Sequence, residues 1–297
     1  MIAKHRNIIF LLFIMIVILL FKKVFLYLTH IKYKTNTKTH KMKTMKTTFP
    51  LAVTLLISTS LLFSCKEESK RAEDTAIVQQ TIEEPQAVTD VMTKEDQENL
   101  TPQMVIDDFK AGNERFVNQK TTNRNHGEQI RKTALAQYPK AIVLSCVDSR
   151  VPVEDLFDQG IGDVFVGRVA GNFVNEDLLG SMEFATKVAG AKLVVILGHK
   201  YCGAVKGAID NAELGNLTAM LENIKPAVKA VEEPQDKAIR NSKNDDFVEA
   251  VSNKNVLLNI EKTLAQSPVL AEMQEKGEIK IVGATYDLST GKVTFFE

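Results

Sequence analysis

Three short aliphatic runs constrain this chain more than any other feature: "AIVLSC" at 141–146, "DVFVGRVAG" at 163–171 and "KLVVILGH" at 192–199. None alternates polar with apolar residues, as a strand wetted on one face does. Continuous apolar runs fit strands covered on both faces, the situation in a parallel sheet with helices on either side. The stretch "NEDLLGSMEFATKVA", 175–189, reads as a helical crossover from the second run to the third. Before the runs, Thr101 and Pro102 supply an N-cap and a first helical position. Val105, Phe109, Phe116 and Val117 follow near helical spacing. Helical patterns also cover about 203–232 and 245–276, and "EIKIVGATYDLSTGKVTFF" reads as strand, turn and strand. The expected fold is therefore α/β: a central, mostly parallel β-sheet flanked by helices, with a C-terminal strand hairpin, in one domain over 101–297. No internal repeat is visible.

The N-terminal third differs in kind. "IIFLLFIMIVILLF", 8–21, is flanked by Lys4, Arg6, Lys22 and Lys23 and has the character of a membrane anchor. A second apolar stretch, "FPLAVTLLISTSLLFSC", follows Lys43 and Lys46 and ends at Cys65. Its charged start, apolar middle and small residue before the cysteine are the anatomy of a secretory signal. "LFSC" resembles the lipobox of bacterial lipoproteins, which implies a signal peptide over 45–64, lipidation of Cys65 and attachment to a membrane of the bacterial cell envelope, on its periplasmic or surface face. Two export signals in series make little physical sense, and Met45 opens a complete one, so 1–44 is expected to be an over-extended start. Residues 65–100 are acidic and lack aromatics, which predicts a flexible tether.

Charge follows the same division. The whole chain balances 37 basic against 37 acidic residues, but residues 1–64 hold 10 of the basic and none of the acidic, leaving 27 against 37 beyond them. A net −10 body argues against nucleic acid as a partner. Three cysteines, Cys65, Cys146 and Cys202, do not suggest a disulfide framework.

Both body cysteines stand where strands end. Cys146 closes the first run, with Asp148 and Arg150 at the next alternate positions, and the third run ends in "GHKYC", giving His199 and Cys202. A buried cysteine is usually a small hydrophobe. Here, however, sites in open α/β sheets gather at the carboxyl ends of strands, and one of the body's two histidines joins the two thiols. Two thiolates and an imidazole suit zinc at tetrahedral geometry. Three protein ligands leave a fourth position open, the mark of a catalytic site. Asp148 either fills that position or sits just outside it.

"CVDSRVP" together with "GHKYCGAVKGA" resembles the β-class carbonic anhydrases of the plant-like branch, as do "AGNERFV", "GDVFVGRVAGN" and "GATYDLSTGKV". The resemblance covers about 101–297. It implies a lyase with one Zn2+ per subunit on Cys146, His199 and Cys202, hydrating carbon dioxide reversibly to bicarbonate and a proton. It implies a homodimer or higher homo-oligomer with pockets lined partly by the partner. It implies that Arg150 holds Asp148, that Asp148 aims the zinc-bound hydroxide, and that Gln137 donates to substrate. Phe165, Ala170 and Gly203 become pocket walls, and Phe184 stands where the family often has a tyrosine. Loss of that hydroxyl puts proton relay in doubt; His126 is a candidate shuttle. The two thiolates put more negative charge on the ion than three imidazoles would, so activity is expected to favour mildly alkaline pH. Two alternatives stay open at this point: a hydrolase of carbonyl sulfide or carbon disulfide on the same fold, and a non-catalytic zinc-binding envelope lipoprotein.

Overall fold

The computed structural model describes residues 86–296. The expectations for 1–44, the signal peptide, Cys65 and the tether as far as residue 85 lie outside them. Among the described residues no helix is long and apolar enough to cross a membrane.

A five-stranded sheet in the order β2-β1-β3-β4-β5 forms the centre. Its strands are β1 (Ala141–Ser145), β2 (Val164–Arg168), β3 (Leu193–His199), β4 (Lys280–Tyr286) and β5 (Val293–Phe295). The first four are parallel, and β5 returns antiparallel through the "STG" turn, with Ala284 opposite Phe295. Every residue of β1 and β3 is buried. Their side chains alternate between two apolar layers: Ala141, Val143, Leu193 and Val195 face one, Ile142, Leu144, Val194 and Ile196 the other. The run at 163–171, expected to be covered on both faces, is instead the edge strand β2. Val164–Gly167 are half-buried and Arg168 is exposed, because among the described residues no strand pairs with its outer side.

Within the acidic stretch read as tether through residue 100, residues 86–100 are folded against the body. Val88 bridges to Arg124, and α1 (Lys94–Glu98) starts on a capping box of Thr93 and Asp96. Buried Gln97 donates to the carbonyls of Pro139 and Ala189 at 2.7 and 2.8 Å. Low hydrophobicity misleads here because the segment is held by hydrogen bonds to the body rather than by apolar burial.

Helix α2 (Pro102–Val117) is capped by Thr101 as expected. Phe109 stacks on Phe157 with ring centres 4.4 Å apart, and burying a ring of this size contributes about 3 kcal/mol. A Cβ on Gly112 would lie 1.9 Å from the Phe157 carbonyl oxygen, so only glycine admits this approach. Asn113 then joins three segments, donating to the carbonyls of Leu156 and Gly291 and accepting from the Val293 amide. Next come α3 (His126–Thr133), α4 (Val153–Leu156) and α5 (Glu176–Glu183), which runs into a π-helical turn over Phe184–Val188. The long excursion from β3 to β4 carries α6 (Gly203–Ile209), α7 (Gly215–Leu221), α8 (Lys225–Ala230), α9 (Asp245–Gln266) and α10 (Pro268–Glu275).

The chain leaves β1 toward β2 on one side and returns past it to β3 on the other. The carboxyl ends of β1 and β3 therefore flank a topological switch point, where open α/β sheets place their ligands.

Candidate metal centre

Cys146 follows directly on β1, His199 is the last residue of β3, and Cys202 caps α6. Their donor atoms all lie within 4.8 Å of one another, and all three residues are buried. Between His199 and Cys202 the chain turns sharply at Tyr201, whose φ is 58°. That turn brings the second sulfur back over the strand end.

The imidazole is oriented by its own chain. His199 Nδ1 lies 2.9 Å from the Lys200 carbonyl oxygen, so Nδ1 carries the proton and Nε2 presents a lone pair. Nε2 is buried with no hydrogen-bond partner among the described residues. A buried acceptor left bare is costly, and a cation on that side removes the cost. Lys200 is itself fixed: its amide donates to the Tyr286 carbonyl at 2.9 Å, and its Nζ sits 3.1 Å from Glu249 and 3.3 Å from Asp287.

The sulfurs stand 4.0 Å apart, far beyond the ~2.05 Å of a disulfide. Two thiolates at the usual Zn–S distance of ~2.3 Å and a tetrahedral angle lie about 3.8 Å apart, so the spacing suits zinc. The Cys202 thiol as donor holds the Cys146 pKa well below the usual thiol range against the opposing effect of burial, with help from His199 and the amides of Gly171 and Asp148. That same bond, with burial and the Cys146 charge, pushes Cys202 up, while the Val205 and Ala204 amides favour its thiolate. One negative charge settles between the sulfurs, and a divalent cation accommodates two. Donor types, spacing and the bare Nε2 all fit zinc.

Beside the donors, Arg150 grips Asp148 with both arms of its guanidinium. Nε lies 2.9 Å from Oδ1 and Nη2 2.8 Å from Oδ2, and the Arg150 amide adds a third bond to Oδ1 at 3.0 Å. The guanidinium outweighs partial burial and holds the carboxyl at about 2. Asp148, considered as a possible fourth ligand, is thus engaged by Arg150 and is not among the converging donors.

Arg168, missed from the sequence, organises this loop. From the end of β2 it donates to the carbonyls of Cys146 at 3.1 Å and Val151 at 2.5 Å. Ala170 precedes Gly171, whose amide donates to Cys146 Sγ at 3.3 Å. Gly203 opens α6 next to Cys202, and beyond its chain neighbours and its own helix backbone no described atom lies within 4 Å of where its Cβ would be.

Gln137 is exposed at the amino end of β1 with its Cβ near Gly162, across the sheet from the donors. Phe165 and Phe184 lie 6.0 Å apart, ring centre to ring centre. They line a cavity of about 620 Å³ that contains none of the three metal-ligand residues. His126 shares another cavity with Arg124, Glu154 and Asp155, again without those ligands.

The carbonic anhydrase family model matches residues 141–293, which include all three donors. The chain belongs to the carbonic anhydrase family. Carbonic anhydrase 2 of Mycobacterium tuberculosis is 34% identical over 200 residues, covering 65% of this chain and 92% of that protein. A carbonic anhydrase of Mycolicibacterium smegmatis is 35% identical over 201 residues, covering 66% and 93%. Among solved structures, a β-carbonic anhydrase of Aspergillus fumigatus is similar with a TM-score of 0.51 and 29% identity, over 58% of this chain and 82% of that one. The β-carbonic anhydrase CcaA shares the fold with a TM-score of 0.52 at 22% identity, over 66% and 94%. The β-class fold of this carbonic anhydrase is what brings two strand ends and a helix start to one point.

Proposed function

We propose that this carbonic anhydrase hydrates carbon dioxide reversibly to bicarbonate and a proton at a zinc ion held by Cys146, His199 and Cys202. The convergence of two sulfurs and a bare Nε2 within 4.8 Å carries the reading. Zinc in such a site supplies Lewis acidity, drawing the pKa of a coordinated water from 15.7 toward ~7. Arg150 fixes the Asp148 carboxylate, and its ionised oxygens keep lone pairs free to accept a hydrogen bond from the attacking solvent. That bond turns the solvent lone pair toward the carbon. Ala170 and the open space at Gly203 supply an uncharged wall for a nonpolar gas, and Arg168 keeps the Cys146–Val151 loop in shape.

The reading includes a second copy of the chain. Phe184 is 51% exposed and Val188 73%, beside the half-buried edge strand β2. Covering this apolar surface with a partner offsets its exposure. Gln137, remote from its own chain's donors, together with Phe165 and Phe184 then completes the partner's pocket.

The N-terminal signal supports placement in the cell envelope, with Cys65 carrying lipid and tethering the enzyme to a membrane. In a bacterial host fed labelled palmitate, the wild-type protein should take up label and Cys65→Ser should not. Equal labelling of both ends the anchoring idea.

Stopped-flow hydration of carbon dioxide by the purified protein tests the activity. A zinc-dependent rate is expected, abolished by Cys146→Ser. Turnover of carbonyl sulfide alone would move the assignment to a hydrolase, and zinc-loaded protein inert to both would leave a binding protein.

A further inference from the structure

Helix α9 runs behind the metal centre, and beside its buried Phe247, Val248, Val251 and Val256 it carries a buried polar stripe. Ser252, Asn255, Asn259 and Thr263 are each at most 3% exposed, and spacings of three and four residues set them in one stripe. The first three reach outside the helix. Ser252 Oγ donates to the His199 carbonyl at 3.1 Å, Asn255 Nδ2 to the Gly171 carbonyl at 2.9 Å, and Asn259 Oδ1 accepts the Val174 amide at 2.8 Å. Asn259 Nδ2 donates to Asn255 Oδ1 at 3.1 Å, which turns the Asn255 amide so that its N–H faces Gly171. One turn before Ser252, Glu249 holds Lys200, whose carbonyl orients the His199 ring. Gly171 in turn donates its amide to Cys146 Sγ. The loops carrying a sulfur contact and the imidazole are thus clamped from a single helix. An apolar face would cover these loops equally well, but it would not fix their direction.

We propose that Ser252 and Asn255 are positioning residues of the metal centre: α9 sets the placement of the Cys146 and His199 donors and thereby how tightly the ion is held. This rests on the zinc reading above.

The test is the rate at which zinc-loaded, full-length protein releases its ion to a chromogenic chelator, measured alongside Tm. Asn255→Ala and Ser252→Ala should each release zinc about 10-fold faster or more, the usual scale for losing a partner of a ligand. In cobalt-substituted protein their thiolate-to-metal charge-transfer band should shift. Thr263→Val is the control: Thr263 is equally buried on the same stripe, but its hydroxyl bonds only the Asn259 carbonyl. It should lose Tm while keeping the wild-type release rate and band. Release rates that follow Tm across all three variants, or wild-type release from the first two, would overturn the proposal. If Asn255→Ala does not fold, Ser252→Ala decides alone. Wild-type protein that binds no zinc is a distinct result, sinking the site assignment and this inference with it.

Discussion

Arg150 binds both carboxylate oxygens of Asp148 through two side-chain bonds, at 2.9 and 2.8 Å, from only two residues away. A single ammonium cannot reproduce that fork. Arg150→Lys should therefore lower kcat/KM by about 10-fold, and Asp148→Asn, which weakens the acceptor, by about 100-fold, the range of losing one positioned polar group. Zinc content measured by elemental analysis should stay at wild-type level in both. Loss of zinc in either would make the pair a structural support of the ion.

Removing the ion should destabilise the fold as well as silence it. Ligand binding to the native state contributes about 4 kcal/mol at 1,000 times Kd. Chelated protein should therefore melt several degrees lower, and Tm and activity should return together on adding zinc. Unchanged Tm after complete removal would contradict a site in which all three ligand residues are buried.

Asp158 predicts the acid limit of stability. Its side chain is fully buried. Burial pushes its pKa up, but hydrogen bonds from Arg124, Arg115 and Thr122 outweigh this and hold it at about 2. A depressed carboxylate stabilises the native state fully above its unfolded pKa near 3.9, and that contribution fades as pH falls toward 2. The shift corresponds to about 2.5 kcal/mol. Asp158→Asn should flatten the stability-against-pH curve in this window. It should also cost about 3 kcal/mol at neutral pH by stranding two arginines. A variant retaining the wild-type acid slope would assign the transition to other groups.

Mixing experiments test the shared pocket. Gln137→Ala should be weak alone and Cys146→Ser inactive. If Gln137 serves the partner's metal, exchanged dimers regain one intact site each, about a quarter of wild-type sites in a statistical mixture. Phe184→Asp should yield a monomer by sedimentation, with activity lost and zinc retained. Undiminished activity in that monomer would place the whole pocket within one chain.

The three converging donors were legible because each carries a local signal. Cys146 and His199 end apolar runs, and Cys202 follows His199 by three. The strands and α2 were legible for the same reason, through run length, Thr101 and Pro102. Arg168 was not: its bonds cross 22 and 17 residues of sequence, and nothing around "VGRVAG" marks it. Asn255 was hidden further, since its bond to Gly171 spans 84 residues and a buried amide on a helix reads as an exposed one. The order of residues 86–100 was missed because Gln97 satisfies carbonyls contributed by distant segments.

By itself, the sequence determined which segments become strands and helices, and which donor types are available. Both follow from side-chain chemistry and from periodicities a few residues long. The edge position of β2, the engagement of His199 Nδ1 by the Lys200 carbonyl and the clamping of both loops by α9 emerge only in the folded chain. These depend on the directions of hydrogen bonds between segments far apart in the chain, and such directions are fixed only once the sheet order and packing are fixed.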